Sequence, residues 1–289
     1  DAPGGLYKLL KNFGWSIDWN GSLDSSAEFL LGSTRSRSYE RLVTDVEYGL
    51  GEFTKGEMAY QKMFRDALPK DVSLEMLHDY SSISNNPKAG YMFRIKSGGK
   101  SIELKNWEAI SLYLNLKDAS TRSAFEAGMP FKLIGRENQS SLGKGQDLGT
   151  KDPATFANDF IKQFESNPEL LAVAKTYMDF INSEAFRNSF SKMSVQRIGK
   201  DVISGEPIFY PRIKEAQIEV GKSAEGEAKI KILPDADVNL GLTDRTIHTR
   251  DVKNIKPTNI IDPLVVMQNM MRGMAQLEHV APRLELAKD

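Results

Sequence analysis

Three times in this chain a capping side chain stands directly before a proline at the head of an apolar, helix-periodic stretch: Asp152-Pro153, Asn167-Pro168 and Asp262-Pro263. Proline at the first helical position loses nothing by lacking an amide hydrogen, and the preceding Asp or Asn satisfies one of the exposed amides of the first turn. Each pair therefore fixes both the start and the register of a helix. Phe156, Phe160 and Phe164 follow the first pair at four-residue spacing, on one face. Leu170, Ala174, Tyr177, Met178 and Ile181 form a stripe after the second, and a further helix is expected from Ser183 to about Ile198.

Elsewhere the pattern is also helical. Ser38 to Leu68 reads as helix in two pieces, with Thr54-x-x-Glu57 as a capping box and Leu68-Pro69 as the stop. Leu74, Leu77 and Tyr80 suggest a short helix before the turn-rich Ser84-Asn85-Asn86-Pro87. Asn106 is expected to cap a helix Trp107–Leu116, and Asp118 one running to Ala127, closed by Gly128 and Pro130. Two stretches are strand-like. Residues 91–104 read as a hairpin around Ser97-Gly98-Gly99-Lys100. Residues 217–233 alternate apolar and polar on both sides of a Gly- and Ala-containing turn. The expected fold is mainly α with small antiparallel β-hairpins, built as one or more irregular helical domains.

The expected organisation is an irregular N-terminal arm over 1–35 and a helical domain with a hairpin over 36–134. A Gly-rich linker over 135–151 carries Gly135, Gly143, Gly145 and Gly149. A second helical domain with the second hairpin covers 152–289. The arm holds Trp15 and Trp19, which would anchor either on a neighbouring domain or on this chain's own core. No internal repeat is evident. The chain opens Asp1-Ala2-Pro3 and ends Leu286-Ala287-Lys288-Asp289 in mid-pattern, which suggests a segment of a longer polypeptide.

Composition narrows the chemistry. Thirty-eight basic residues against 39 acidic ones leave no electrostatic footprint for nucleic acid or an anionic membrane. Cysteine is absent, which excludes disulfides, thiolate metal sites and cysteine nucleophiles. No apolar run approaches the roughly 20 residues of a membrane helix.

The motifs that suggest chemistry fail on detail. Gly98-Gly99-Lys100-Ser101 and Gly221-Lys222-Ser223 end like a phosphate-binding loop, but Arg94 and Ala216 stand where its first glycine belongs. Both also lie between strands instead of opening a helix. The glycines at 143, 145 and 149 miss the dinucleotide spacing. Asp235-x-Asp237-x-Asn239 opens like a calcium loop, yet Leu240 and Thr246 occupy the positions of its Gly and Glu. His78, His248 and His279 are too scattered to suggest zinc or a nucleophile–base pair. Residues 245–256, with Asp244 counted beside them, carry a two-charge basic excess, enough for weak contact with a nucleic-acid backbone or for an ordinary solvated loop. The sequence thus gives no catalytic residue, no cofactor site and no metal site. Met267, Met270, Met271 and Met274 share one helical face, which would be either core or an adaptable partner surface.

One resemblance goes further. It rests on Trp107-Glu108-Ala109-Ile110-Ser111-Leu112-Tyr113-Leu114, then Phe125-Glu126-Ala127-Gly128-Met129-Pro130, then long helices. Gly205-Glu206-Pro207-Ile208-Phe209-Tyr210-Pro211-Arg212-Ile213 follows, then Thr243 to Arg250, and last a helix from Asn259-Ile260-Ile261-Asp262-Pro263-Leu264 to Glu278-His279. In order and style, residues 100–289 resemble interior segments of large bacteriophage internal virion (ejection) proteins and polyvalent polyproteins. The aromatic-Tyr-Pro step and the Asp-Pro helix are the most specific parts; the insert at 135–151 has no counterpart in the pattern. The resemblance implies a non-enzymatic structural segment, packaged in the capsid interior or tail and ejected with the genome into the host envelope or periplasm. It implies self-association and other virion or ejection proteins as partners. It also leaves open a scaffold attached to a catalytic domain, a virion RNA polymerase or a lytic transglycosylase, in the same polyprotein. An enzyme with a site assembled from scattered residues is the third possibility.

Overall fold

A computed structural model describes residues 45–134, 140–144, 146, 148–149, 152–198, 201, 203, 207–211, 218–222, 228–232, 257–275 and 278–279. Mainly helical structure with small β elements is what it shows. In chain order the helices are α1 (Asp45–Asp66), α2 (Leu74–Asp79), α3 (Asn106–Lys117), α4 (Ala119–Glu126), α5 (Pro153–Glu165), α6 (Pro168–Ile181), α7 (Glu184–Ile198) and α8 (Pro263–Ala275). The strands are β1 (Met92–Ser97), β2 (Lys100–Lys105), β3 (Phe131–Leu133), β4 (Ser140–Gly143), β5 (Leu148–Gly149), β6 (Ile218–Lys222), β7 (Ala228–Ile232) and β8 (Thr258–Ile260).

The caps behave as the sequence predicts at four places. Asp118, Asp152, Asn167 and Asp262 accept from the backbone N–H of Thr121, Ala154, Leu170 and Leu264. Gly128, at φ +108°, follows α4 in the left-handed conformation that glycine tolerates. Both hairpins form antiparallel pairs, with Ser97 opposite Lys100 and Ile218 opposite Ile232. Gly98 and Gly99 close the first at φ +56° and +77°, values that belong to a tight hairpin turn and not to a phosphate cradle.

Three local expectations need correction. Asn106 is inside α3 and does not cap it. The Glu108 carboxylate instead turns back to accept from the Lys105 N–H at 2.6 Å, and the Asn106 amide reaches the Lys88 carbonyl. Helix α1 is one continuous helix of 22 residues, so Thr54 is interior and caps nothing. Asn86-Pro87 is more than a turn: Asn86 caps a short 3-10 helix, Pro87–Gly90.

By contact density the chain divides into two units, one of residues 1–62, 237–248 and 271–289, the other of 63–236 and 249–270. Residues on both sides of the expected 135–151 linker thus belong to one unit, and that segment supplies strands. Strand β4 pairs antiparallel with β3, and β5 lies parallel beside β4. Strand β8 completes the order β5-β4-β3-β8 by running parallel to β3. A three-residue strand has no room to display alternation, so β3 and β8 left no period in the sequence.

Helix α3 is the centre of the larger unit. Every residue from Asn106 to Leu116 is buried. A helix surrounded on all sides needs no amphipathic stripe, and this one has none. Around it runs a chain of aromatic contacts. Phe164 stacks on Tyr113 at 4.4 Å between ring centroids, Phe125 on Phe131 at 4.7 Å, and Phe64 meets Phe180 edge-on at 4.9 Å. The Phe156, Phe160, Phe164 stripe is entirely core, packed between the first hairpin and α3 and α4. In the smaller unit, Gly56 on α1 lies so close to His279 that a Cβ there would stand 2.5 Å from the imidazole Nε2, and the Tyr60 hydroxyl donates to the Glu278 carboxylate at 3.0 Å.

Candidate functional site

Three joints in the larger unit are made by polar side chains, two of them buried carboxylates and one a half-buried amide. The first is Asp262, 1% exposed, at the N-cap of α8. It draws together chain separated by 180 residues: the Ser81 hydroxyl, the Ser82 N–H at 2.8 Å and the Ser82 hydroxyl at 3.0 Å all donate to Oδ2, while Leu264 N–H donates to Oδ1 at 2.9 Å. Burial pushes its pKa above the ordinary carboxylate value, and these donors only partly offset that. Burial, with the nearby Asp262 charge in support, also raises the Tyr177 and Tyr210 hydroxyls.

The second joint is Asp118, fully buried between α3 and α4. Oδ1 caps α4 through Thr121 N–H at 2.8 Å and accepts from Ser120, while Oδ2 accepts from Tyr210 N–H at 3.0 Å. The third is Asn182, just past the end of α6. Its Oδ1 accepts from Phe209 N–H at 2.8 Å and its Nδ2 donates to the Phe209 carbonyl at 3.1 Å, as a neighbouring strand residue would. Arg187 braces the same amide at 3.0 Å and donates to the Ile203 carbonyl at 3.1 Å. Phe209 and Tyr210 are buried, with Phe209 against Phe190. The second and third joints therefore lock the Phe209-Tyr210-Pro211 step into the core from both sides.

The chemistry of these joints is positional: each carboxylate or amide is committed to backbone groups and to hydroxyl or guanidinium side chains of its own chain. Asn115 Oδ1, Thr121 Oγ1 and both amide atoms of Asn259 are buried without a hydrogen-bond partner among the described residues.

The sequence-derived partner residues fare differently from one another. Met267, Met271 and Met274 are buried by this chain itself, at 3% exposure or less, and Met270 is half-buried. Met267, Met271 and Met274 thus stand among the buried apolar residues of the chain. Trp15, Trp19, the calcium-like loop at 235–246, His248 and the basic stretch 245–256 lie outside the described residues. His78 is exposed on α2, and His279 stands 3.8 Å from Glu278. Among the described residues no group of three or more His, Cys, Asp or Glu could hold a metal ion, and no helix is long and apolar enough to cross a membrane. Asn182, an amide that clamps backbone, carried no sequence signal, because the clamp joins it to a residue distant in sequence.

Against known proteins the chain matches no family model, no curated protein and no solved structure.

Proposed function

We propose that the chain is a non-catalytic structural segment of a large bacteriophage virion protein, packaged in the particle and delivered with the genome into the host envelope. Its partners in this reading are further copies of itself and other virion or ejection proteins, with no more than weak contact to nucleic-acid backbone.

The observation that carries the reading is the use made of its most distinctive segments. The Phe209-Tyr210-Pro211 step and the Asp262-Pro263 helix start, which underlie the resemblance to phage internal proteins, are the segments tied down by Asp118, Asn182 and Asp262. Buried carboxylates spent on backbone hydrogen bonds serve to hold a shape. That is the demand on a segment that transmits position instead of turning over a substrate.

The test is a peptide mass spectrum of purified virions of the source phage, with host envelopes fractionated after adsorption. Peptides of this chain are expected in intact particles and, after ejection, in the envelope fraction. Peptides found in infected cells and absent from particles would overturn the proposal.

A further inference from the structure

We infer that the outer edge of strand β1 is a docking site for an extended, acidic peptide segment of a partner protein, taken up as a third strand of the β1–β2 hairpin. This inference stands apart from the phage reading.

The register carries the argument. With Ser97 opposite Lys100 across the Gly98-Gly99 turn, Ser97, Ile95 and Phe93 direct their backbone groups towards β2. Lys96, Arg94 and Met92 then direct theirs away from it. The structure marks this at Lys96, whose N–H donates to the Gln163 side chain at 3.0 Å and whose carbonyl accepts from the same amide at 2.8 Å. Gln163, on α5, thereby stands in for one residue of a neighbouring strand, and it stops after one residue. Beyond it the outward N–H and C=O groups of Arg94 and Met92 continue the same ladder, with no described strand beside them.

A groove lies along this continuation. It is shallow and open to solvent, about 560 Å³ in volume, and runs between Phe93 and Arg94 on one side and Gln163 and the α5–α6 corner, Ser166 to Glu169, on the other. Next to it Tyr91 and Met92 are 57% and 49% exposed. An extended peptide gains affinity from such an edge through main-chain hydrogen bonds and specificity through its alternate side chains.

Charge selects the occupant. The solvent face of the hairpin carries Arg94 and Lys96 on β1 and Glu103 and Lys105 on β2, three basic residues against one acidic. Glu103 is already held by Arg94 at 2.9 Å. Lys96 has no ion pair among the described residues. An acidic group across the groove, Glu169, is engaged by Lys88 at 3.3 Å, and the Tyr80 hydroxyl, with Lys88 in support, holds its carboxyl below the usual value. A strand with acidic side chains at alternate positions matches Arg94 and Lys96.

The test is nuclear magnetic resonance on the full ¹⁵N-labelled chain with two blocked peptides, Thr-Glu-Val-Glu-Thr and Thr-Lys-Val-Lys-Thr, each at about 1 mM, where weak strand addition is detectable. The acidic peptide is expected to shift the Met92 and Arg94 amides and slow their hydrogen exchange about tenfold. The basic peptide is expected to leave them unchanged. Lys96→Glu, which breaks no ion pair among the described residues, is expected to abolish that preference while circular dichroism stays the same. Equal effects of the two peptides would overturn the inference, as would shifts confined to other residues. So would Met92 and Arg94 amides already protected in the free chain in a concentration-dependent way, which would make a second copy the occupant.

Discussion

Gln163 and Asn182 are both side-chain amides, and each holds the N–H and the C=O of a single distant residue, Lys96 and Phe209 respectively. Removing the second leaves a buried backbone pair without partners, at about 1–3 kcal/mol for each group so stranded. Asn182→Ala is therefore expected to lose about 2–4 kcal/mol of stability in urea unfolding, and Asn182→Asp nearly as much, since a carboxylate cannot donate to the Phe209 carbonyl. Asp262 makes a prediction with a sign. Its folded-state pKa is raised, so the protonated form is favoured by folding. The associated stability is fully present below the ordinary aspartate value of 3.8 and is lost as pH rises through the raised value. Asp262→Asn carries no such penalty. The melting temperature of this variant relative to wild type is expected to climb as pH rises from 4 to 8; a difference flat in pH would refute the assignment. Neither amide clamp was legible beforehand. The local caps Asp118, Asp152, Asn167 and Asp262 were, because a cap and its target lie two or three residues apart.

Among elements, α8 is where sequence and structure part most usefully. Its start was readable from Asp262-Pro263. Its surroundings were not, because Met267, Met271 and Met274 look the same in sequence whether core or contact surface. Burial assigns them to the core, so Met274→Asp is expected to cost several kcal/mol, roughly 3–5, by burying an unpaired charge. Met270→Asp, at a half-buried position, should cost clearly less. Thermal melts with sedimentation check both: unchanged mass with a large drop for Met274→Asp is the expected result. Helix α3 shows the converse. Its capping residue was misread by one position, since Glu108 turns back to Lys105 and leaves Asn106 free to reach Lys88. Its full burial was also invisible, as periodicity reports only a helix with two unlike sides. The first hairpin was readable because its Gly-Gly turn demands backbone that other residues resist. The β3–β4–β8 sheet was not, because its strands are short and its β3–β8 pairing joins residues more than 120 apart.

At the scale of the molecule, the larger unit is closed by chain that comes late. Strand β8 supplies the parallel partner of β3, pairing Phe131 with Thr258, and Asp262 supplies the acceptor for Ser81 and Ser82. A chain ended after residue 256 is expected to lose a single cooperative melt and to bind a hydrophobic dye, with α-helical circular dichroism largely kept. Retention of a sharp transition in calorimetry would show that β8 and α8 are accessory.

The same joint has a meaning for synthesis. A polypeptide emerges from the ribosome from its amino end, and Ser81 and Ser82 are exposed to the cell long before Asp262 exists to receive them. Until then the β3 edge and the helices awaiting α8 present unsatisfied surface, in the form that chaperones and aggregation compete for. Because the interaction spans 180 residues, the slow step of folding is expected to follow the emergence of Asp262 from the ribosome. A lengthened pause in translation between the codons for Ser82 and Thr258 would then prolong the vulnerable interval, while one downstream of α8 would not.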